Sequence, residues 1–198
     1  MPANALRVAN FPPPGAQLPA NAAAERVIAG FPTAHAQEKL NWCWAAVLSA
    51  VSRVLPRAEG PRTQREVVAK VQGPAGSDAD DMEDLLVAVR RMGWDCTPLV
   101  RSDLDVLDFD RDIRTPIDDG RPIPICVRWK AGGSHAICAF GYGRLGGSPA
   151  LILYDPSAID GEPDNLTMVS IAGMDNYEHR LASGRQPGRW TEAYLLER

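Results

Sequence analysis

From Cys43 to Leu55 the run CWAAVLSAVSRVL sets Ala46, Val47, Ala50, Val51 and Val54 at helical spacing, and Pro56 stops it. Such a density of apolar residues predicts a buried helix. Thr63 can cap a second helix through about Val71, ended by Gly73-Pro74. Met82, Leu85, Leu86, Val89 and Met92 form one apolar stripe. It predicts a third helix from Asp81 to Met92, with acidic residues in the first turn, where the helix dipole favours them, and Gly93 as its end. Residues 1–30 carry no sustained period, and Pro12-Pro13-Pro14-Gly15 forbids helix through their middle. They read as a flexible arm: a pro-segment, an export signal or a disordered tail.

A helical stretch around Asp110 to Asp119 precedes Gly120, and then the pattern changes. IPICVRW, HAICAFGY, PALILY, LTMVSIA and RWTEAYLL read as strands punctuated by Gly, Pro, Asn and Asp. Helices first and strands second predict an α+β fold, not the alternating order of a doubly wound parallel sheet. The expected division is an arm over 1–30 and one domain over 31–198, helical in 31–105 and sheet in 106–198. The Gly-rich stretch KAGGS joins its two flanking strands as an antiparallel hairpin. A hairpin centred near Gly132 sets Cys126 opposite Cys138, both on the face away from His135, which is expected to be the packed face.

With 198 residues, 45% apolar and 23% charged, the chain can bury the core of one domain or of two small lobes sharing a cleft. The net charge of −4 argues against nucleic acid and anionic membranes as partners. No apolar run approaches the roughly 18–20 residues that cross a bilayer, and MPANALRVANFPPPG lacks a secretory pattern. The expected product is made in the cytoplasm, with export by machinery that reads other signals left open. The cysteines at 43, 96, 126 and 138 form no CxxC pair and no zinc-type spacing, so neither a metal nor a cofactor is expected. If Cys43 stays a free thiol, at most one disulfide can form; the other three read as small buried apolar side chains.

The chemistry concentrates in three places. In QEKLNWCWAA, Cys43 opens an apolar helix, where unpaired N–H groups and the helix dipole stabilise a thiolate, although the helix alone fits a core cysteine equally well. Gln37, six residues earlier, is close enough for its amide to join the Cys43 N–H as an oxyanion donor, or it is a solvated surface residue. In GGSHAI, His135 opens a strand after two glycines that clear space around it, the setting of a general base, while a lone histidine there can equally be structural. In YDPS, Asp155 ends an apolar strand and can reach the imidazole across the sheet, although Asp-Pro is also an ordinary turn former. His35 and His179 read as surface residues. At least one of Trp42 and Trp44 should enter the core and the other line a cleft; Trp129 is either core or cleft wall.

The order Gln37, Cys43 before a Trp, glycine-flanked His135 and then Asp155 resembles the papain-like cysteine peptidases. NWCWAA and the G-G-x-H-A type motif are most similar to two compact bacterial groups, the bacteriocin-processing peptidase-like proteins and the effector peptidases of plant pathogens. The resemblance runs from Gln37 to the end of the chain and also includes DMEDLLVAVRRMGW, DDGRPIPICVRW and RWTEAYLL. It implies a papain-like fold, with a helical lobe carrying the nucleophile and an antiparallel sheet lobe carrying His and Asp. It further implies Cys43 as nucleophile, His135 as base, Asp155 as orienting residue in place of papain's Asn, and Gln37 as oxyanion donor. The expected activity is that of a cysteine endopeptidase on a protein or peptide substrate, with a cognate inhibitor or a secretion partner as further candidate partners. The same triad serves a peptidoglycan amidase or an acyltransferase, and an inert papain-like binding module is the non-enzymatic alternative.

Overall fold

The computed structural model describes residues 5–6, 20–55, 60–74, 76, 79–100, 107–157, 166–181 and 184–197. Helix α1 (Cys43–Val54) is buried along nearly its whole length, as its apolar density demands. Helix α2 (Gln64–Gln72) starts at Thr63, whose hydroxyl accepts from the Glu66 N–H while the Glu66 carboxylate accepts from the Thr63 N–H. This reciprocal cap closes two otherwise orphan donors, and losing it costs about 1 kcal/mol. Helix α3 (Leu85–Arg91) is shorter than the stripe predicts, because Asp84 ends the approach by accepting from the Val87 N–H. The acidic residues therefore precede the helix and do not fill its first turn. Around Asp110–Asp119, a π-helical turn (Phe109–Arg114) runs into α4 (Thr115–Asp118).

The fold is α+β, with these helices packed on one large antiparallel sheet. Its strands are β1 (Ala5–Leu6), β2 (Ala22–Ile28), β3 (Cys96–Val100), β4 (Ile123–Trp129), β5 (Ser134–Leu145), β6 (Ser148–Tyr154), β7 (Leu166–Ser170), β8 (Tyr177–Leu181) and β9 (Gly184–Leu196). The main path runs β1-β2-β5-β4-β9-β3; β6 lies on β5 and carries β7, and β8 pairs with β9. Four strands were not expected. Residues 22–28, assigned to the arm, form β2 and pair with the far half of β5. β1, also assigned to the arm, pairs with β2. β3 pairs with β9, so the sheet recruits the first half of the chain at two places. β8 makes a hairpin with the start of β9.

The β4–β5 hairpin forms as expected, with Gly132 and Gly133 both at positive φ in its turn. Its register differs by two residues: Cys126 faces Ala136, and Cys138 faces Pro124. The turn takes up Lys130 to Gly133, which moves its centre back from Gly132. A shift by two preserves the faces, so Cys126 and Cys138 still lie opposite His135. The better-packed face of β4 is nevertheless that of His135, where Ile123, Ile125 and Val127 are fully buried while Cys126 is only half-buried. Of the three cysteines read as core, Cys138 is buried, whereas Cys96 and Cys126 are partly exposed; all four cysteines are free thiols. No described helix is long and apolar enough to cross a membrane.

Candidate active site

Cys43 is the first residue of α1, and the N-cap, Trp42, gives the helix no side-chain cap. The first-turn N–H groups are thus left for an anion. Two anchors fix this helix end: the indole N–H of Trp42 donates to Ala79 O at 2.9 Å and that of Trp44 to Asp81 O at 3.2 Å. Asn41 is tied to the same segment through Asp80, its N–H donating to Oδ1 at 2.8 Å and its side-chain amide to the backbone carbonyl at 3.0 Å. Both indoles are buried, so neither Trp42 nor Trp44 is left to line a cleft.

β6 pairs with β5 only from Cys138 onward. Ahead of that point the edge of β5 is open, and there the Ala136 N–H donates to Cys43 Sγ at 3.4 Å. His135, one residue earlier, is 8% exposed, and Cys43 is 6% exposed. His135 Nε2 lies 2.7 Å from Asp155 Oδ1. A carboxylate only accepts, so Nε2 carries a proton and Nδ1 is left for the thiol. Asp155, 7% exposed, stands directly after β6 and crosses to the imidazole from the neighbouring strand.

The electrostatics follow from this geometry. Burial works against the Cys43 thiolate, yet the hydrogen bond and charge of His135, with the N–H groups of Ala136 and Trp44, bring its pKa below the usual thiol value. Burial likewise works against the imidazolium, but Asp155 outweighs it by charge and hydrogen bond, and Cys43 adds to this, so His135 is raised to about 10. The two shifts belong to one coupled pair and both favour the thiolate–imidazolium form. Burial instead raises the thiols of Cys126, to about 11, and of Cys96 and Cys138.

Compared with known proteins, the chain matches no family model and no curated sequence.

Gln37 is brought to the site by its backbone, whose N–H donates to Pro156 O at 2.8 Å, next to Asp155. Buried Gln64 holds the residues on either side, donating to Ala36 O and accepting from the Glu38 N–H. The Gln37 amide does not point a free N–H₂ at the thiol. It donates to Lys39 O at 2.9 Å and to Leu40 O at 2.5 Å, and its Oε1 is buried without a hydrogen-bond partner. The expected oxyanion role thus requires this amide to turn away from the 39–40 carbonyls.

Three residues around the triad carry more than the motifs suggest. Ser157 donates to Asp155 Oδ1 from its hydroxyl at 2.6 Å and from its N–H at 3.1 Å, with the hydroxyl oxygen 3.2 Å from His135 Nε2. Tyr177 donates to Asp155 Oδ2 at 2.7 Å. Trp129 stacks on His135, with ring centroids 5.6 Å apart. Gly188, opposite Trp129, makes room for that indole, since a Cβ there would lie 2.4 Å from its ring. Ser157 was within reach of the YDPS motif, but Tyr177 arrives from β8, which the pattern did not reveal. His35 is exposed, as expected. Asp160 and Asp164, the other carboxylates shortly after Asp155 in the sequence, lie outside the described residues, and so does the side chain of His179. Among the described residues no cluster suits a metal ion.

Proposed function

We propose that this chain is a cysteine peptidase of papain-like architecture, with Cys43 as nucleophile, His135 as acid and base, and Asp155 as orienting residue. One observation carries the reading: a thiol at an uncapped helix start and a histidine locked on a buried carboxylate meet at the open edge of one strand. The Cys43 thiolate attacks the peptide carbonyl carbon, and the oxyanion forms beside the Cys43 N–H. The C–N bond breaks as the His135 imidazolium gives its proton to the leaving amine. Water then attacks the thioester while His135 takes its proton, and the acid leaves as the thiol is restored. The substrate is a protein or peptide, and the pair needs no cofactor for this sequence of steps.

Two measurements test the proposal. Iodoacetamide should alkylate Cys43 well below the ordinary thiol pKa of about 8.5, while Cys138 reacts only on unfolding and Cys96 and Cys126 react slowly. Pure protein should also cleave casein and leave isolated peptidoglycan intact. Cleavage of peptidoglycan alone would move the assignment to an amidase, and four thiols with one common reactivity would end it.

A further inference from the structure

Beyond the triad, the carboxylate of Asp155 is shared. Oδ1 faces His135 and takes both donors of Ser157, whereas Oδ2 takes the hydroxyl of Tyr177. Tyr177 is 3% exposed, and its ring also lies against Trp129, with centroids 6.3 Å apart and planes within 26° of parallel. Trp129 stacks on His135 in turn, at 21°. One tyrosine thus touches both the acid that orients the base and the aromatic plate that covers it.

We propose that Tyr177 is a positioning residue of this site: its hydroxyl holds Asp155 as an oriented anion, so that the proton shared with His135 stays on the imidazole. The inference rests on the thiolate–imidazolium reading of Cys43 and His135. A buried carboxylate without enough donors takes up a proton or rotates. Here the ionised cluster (thiolate, imidazolium, carboxylate) carries one net negative charge, and every donor aimed at it stabilises that charge against protonation. Tyr177 can donate throughout the working range, because burial and the neighbouring Asp155 charge both keep its phenol protonated. Among the described residues, two further titratable groups face the cluster: Tyr154 on β6, whose field reaches Asp155, and Cys126 on β4, whose field reaches Cys43. Burial keeps both neutral. Neither donates to Asp155 in the described hydrogen bonds.

The test is Tyr177→Phe in the full chain, which keeps the ring and removes only the hydroxyl. The readout is the rate of Cys43 alkylation by iodoacetamide against pH, which needs no substrate. With one donor fewer, the cluster should take up its proton at higher pH. The acid limb of the alkylation profile should then move up by about one pH unit, the share of a charge-assisted hydrogen bond that reaches the thiol. Peptide hydrolysis below that limb should fall with it, through kcat more than KM. Tyr177→Leu, which removes the ring as well, should move the limb at least as far; continued protection of Cys138 reports that each variant is folded. If Tyr177→Phe lowers the melting temperature but leaves the limb in place, the tyrosine is only structural and the proposal fails while the Cys43 assignment stands. If Cys43 in the parent protein titrates as an ordinary thiol, the proposal and the reading beneath it fall together.

Discussion

Strand β5 carries a basic side chain near each end, His135 at its start and Arg144 near its finish, and the two ends use charge differently. At the start, His135 and Asp155 are nearly sealed from water, and the imidazole Nε2 and both carboxylate oxygens are met by named partners. At the finish, Arg144 pairs with Glu25 at 2.9 Å and Arg114 with Asp110 at 2.7 Å. These four side chains are between 36% and 72% exposed. With Asp108 and Phe109 they border an open groove of about 450 Å³. Water does there what protein does at the other end. Exposed pairs of that kind contribute about 0–1 kcal/mol each, whereas the buried pair reshapes the proton affinities of a thiol and an imidazole. Opposite charges in contact point to chemistry only where burial keeps water from screening them.

Substitutions at five positions can break or sharpen this contrast. The largest effect belongs to Cys43→Ala and His135→Ala, each of which should abolish hydrolysis. For Cys43→Ala the thermal unfolding should be unchanged, because alanine suits a helix start and the indole anchors on both sides remain. Retained turnover of a peptide substrate by Cys43→Ala would remove the nucleophile from the scheme.

Asp155→Ala comes next. It removes the carboxylate that Tyr177, Ser157 and the imidazole N–H share, and kcat/KM should fall by on the order of 10³- to 10⁴-fold. Asp155→Asn keeps an oxygen for His135 and lets the Tyr177 hydroxyl turn, so it should retain measurable activity. Loss of the carboxylate charge removes the larger of the two influences that raise His135, so the alkaline limb of the rate profile, near about 10 in the parent, should move down. An alkaline limb that stays in place in Asp155→Asn would assign the histidine's proton affinity to another group.

Gln37→Ala is expected to lower kcat by about tenfold, below the roughly 10²-fold loss of a preset oxyanion donor. Its amide already donates to Lys39 and Leu40, and its removal mainly loosens the turn leading into Cys43. A full 10²-fold loss with unchanged KM would show that the amide does turn to the oxyanion during reaction. The smallest effect lies at the other end of β5. Arg144→Ala should change stability by less than about 1 kcal/mol and leave kcat/KM as it was; a larger loss in denaturant titration would mean that the groove is not screened by water.

Periodicity made α1, α2 and five strands legible, because each pattern is local: apolar spacing of 3.6 or 2, closed by Pro, Gly or a capping Thr. The residues Cys43, His135 and Asp155 were legible for a related reason. Each sits at an end of such an element, where the regular backbone fixes the position of the side chain. Strand β2 was not, since AAAERVI has the composition of a helix or a coil. It becomes a strand by pairing with β5, where Gly143 lets the Ala23 backbone approach to a distance that any side chain would block. Likewise, the start of α3 depended on Trp42, Trp44 and Asn41 tying residues 79–81 down outside the helix.

By itself, then, the order of residues determined the class of fold, the elements that bear the chemistry and which side chains could meet. Only the tertiary structure decided how they meet. It placed the Ala136 N–H on the thiol, turned the Gln37 amide to its own loop, stacked Trp129 on the imidazole and supplied Tyr177 from β8. The physical reason is that spacing encodes which face a side chain takes, while hydrogen-bond partners and burial depend on what another segment brings to that face.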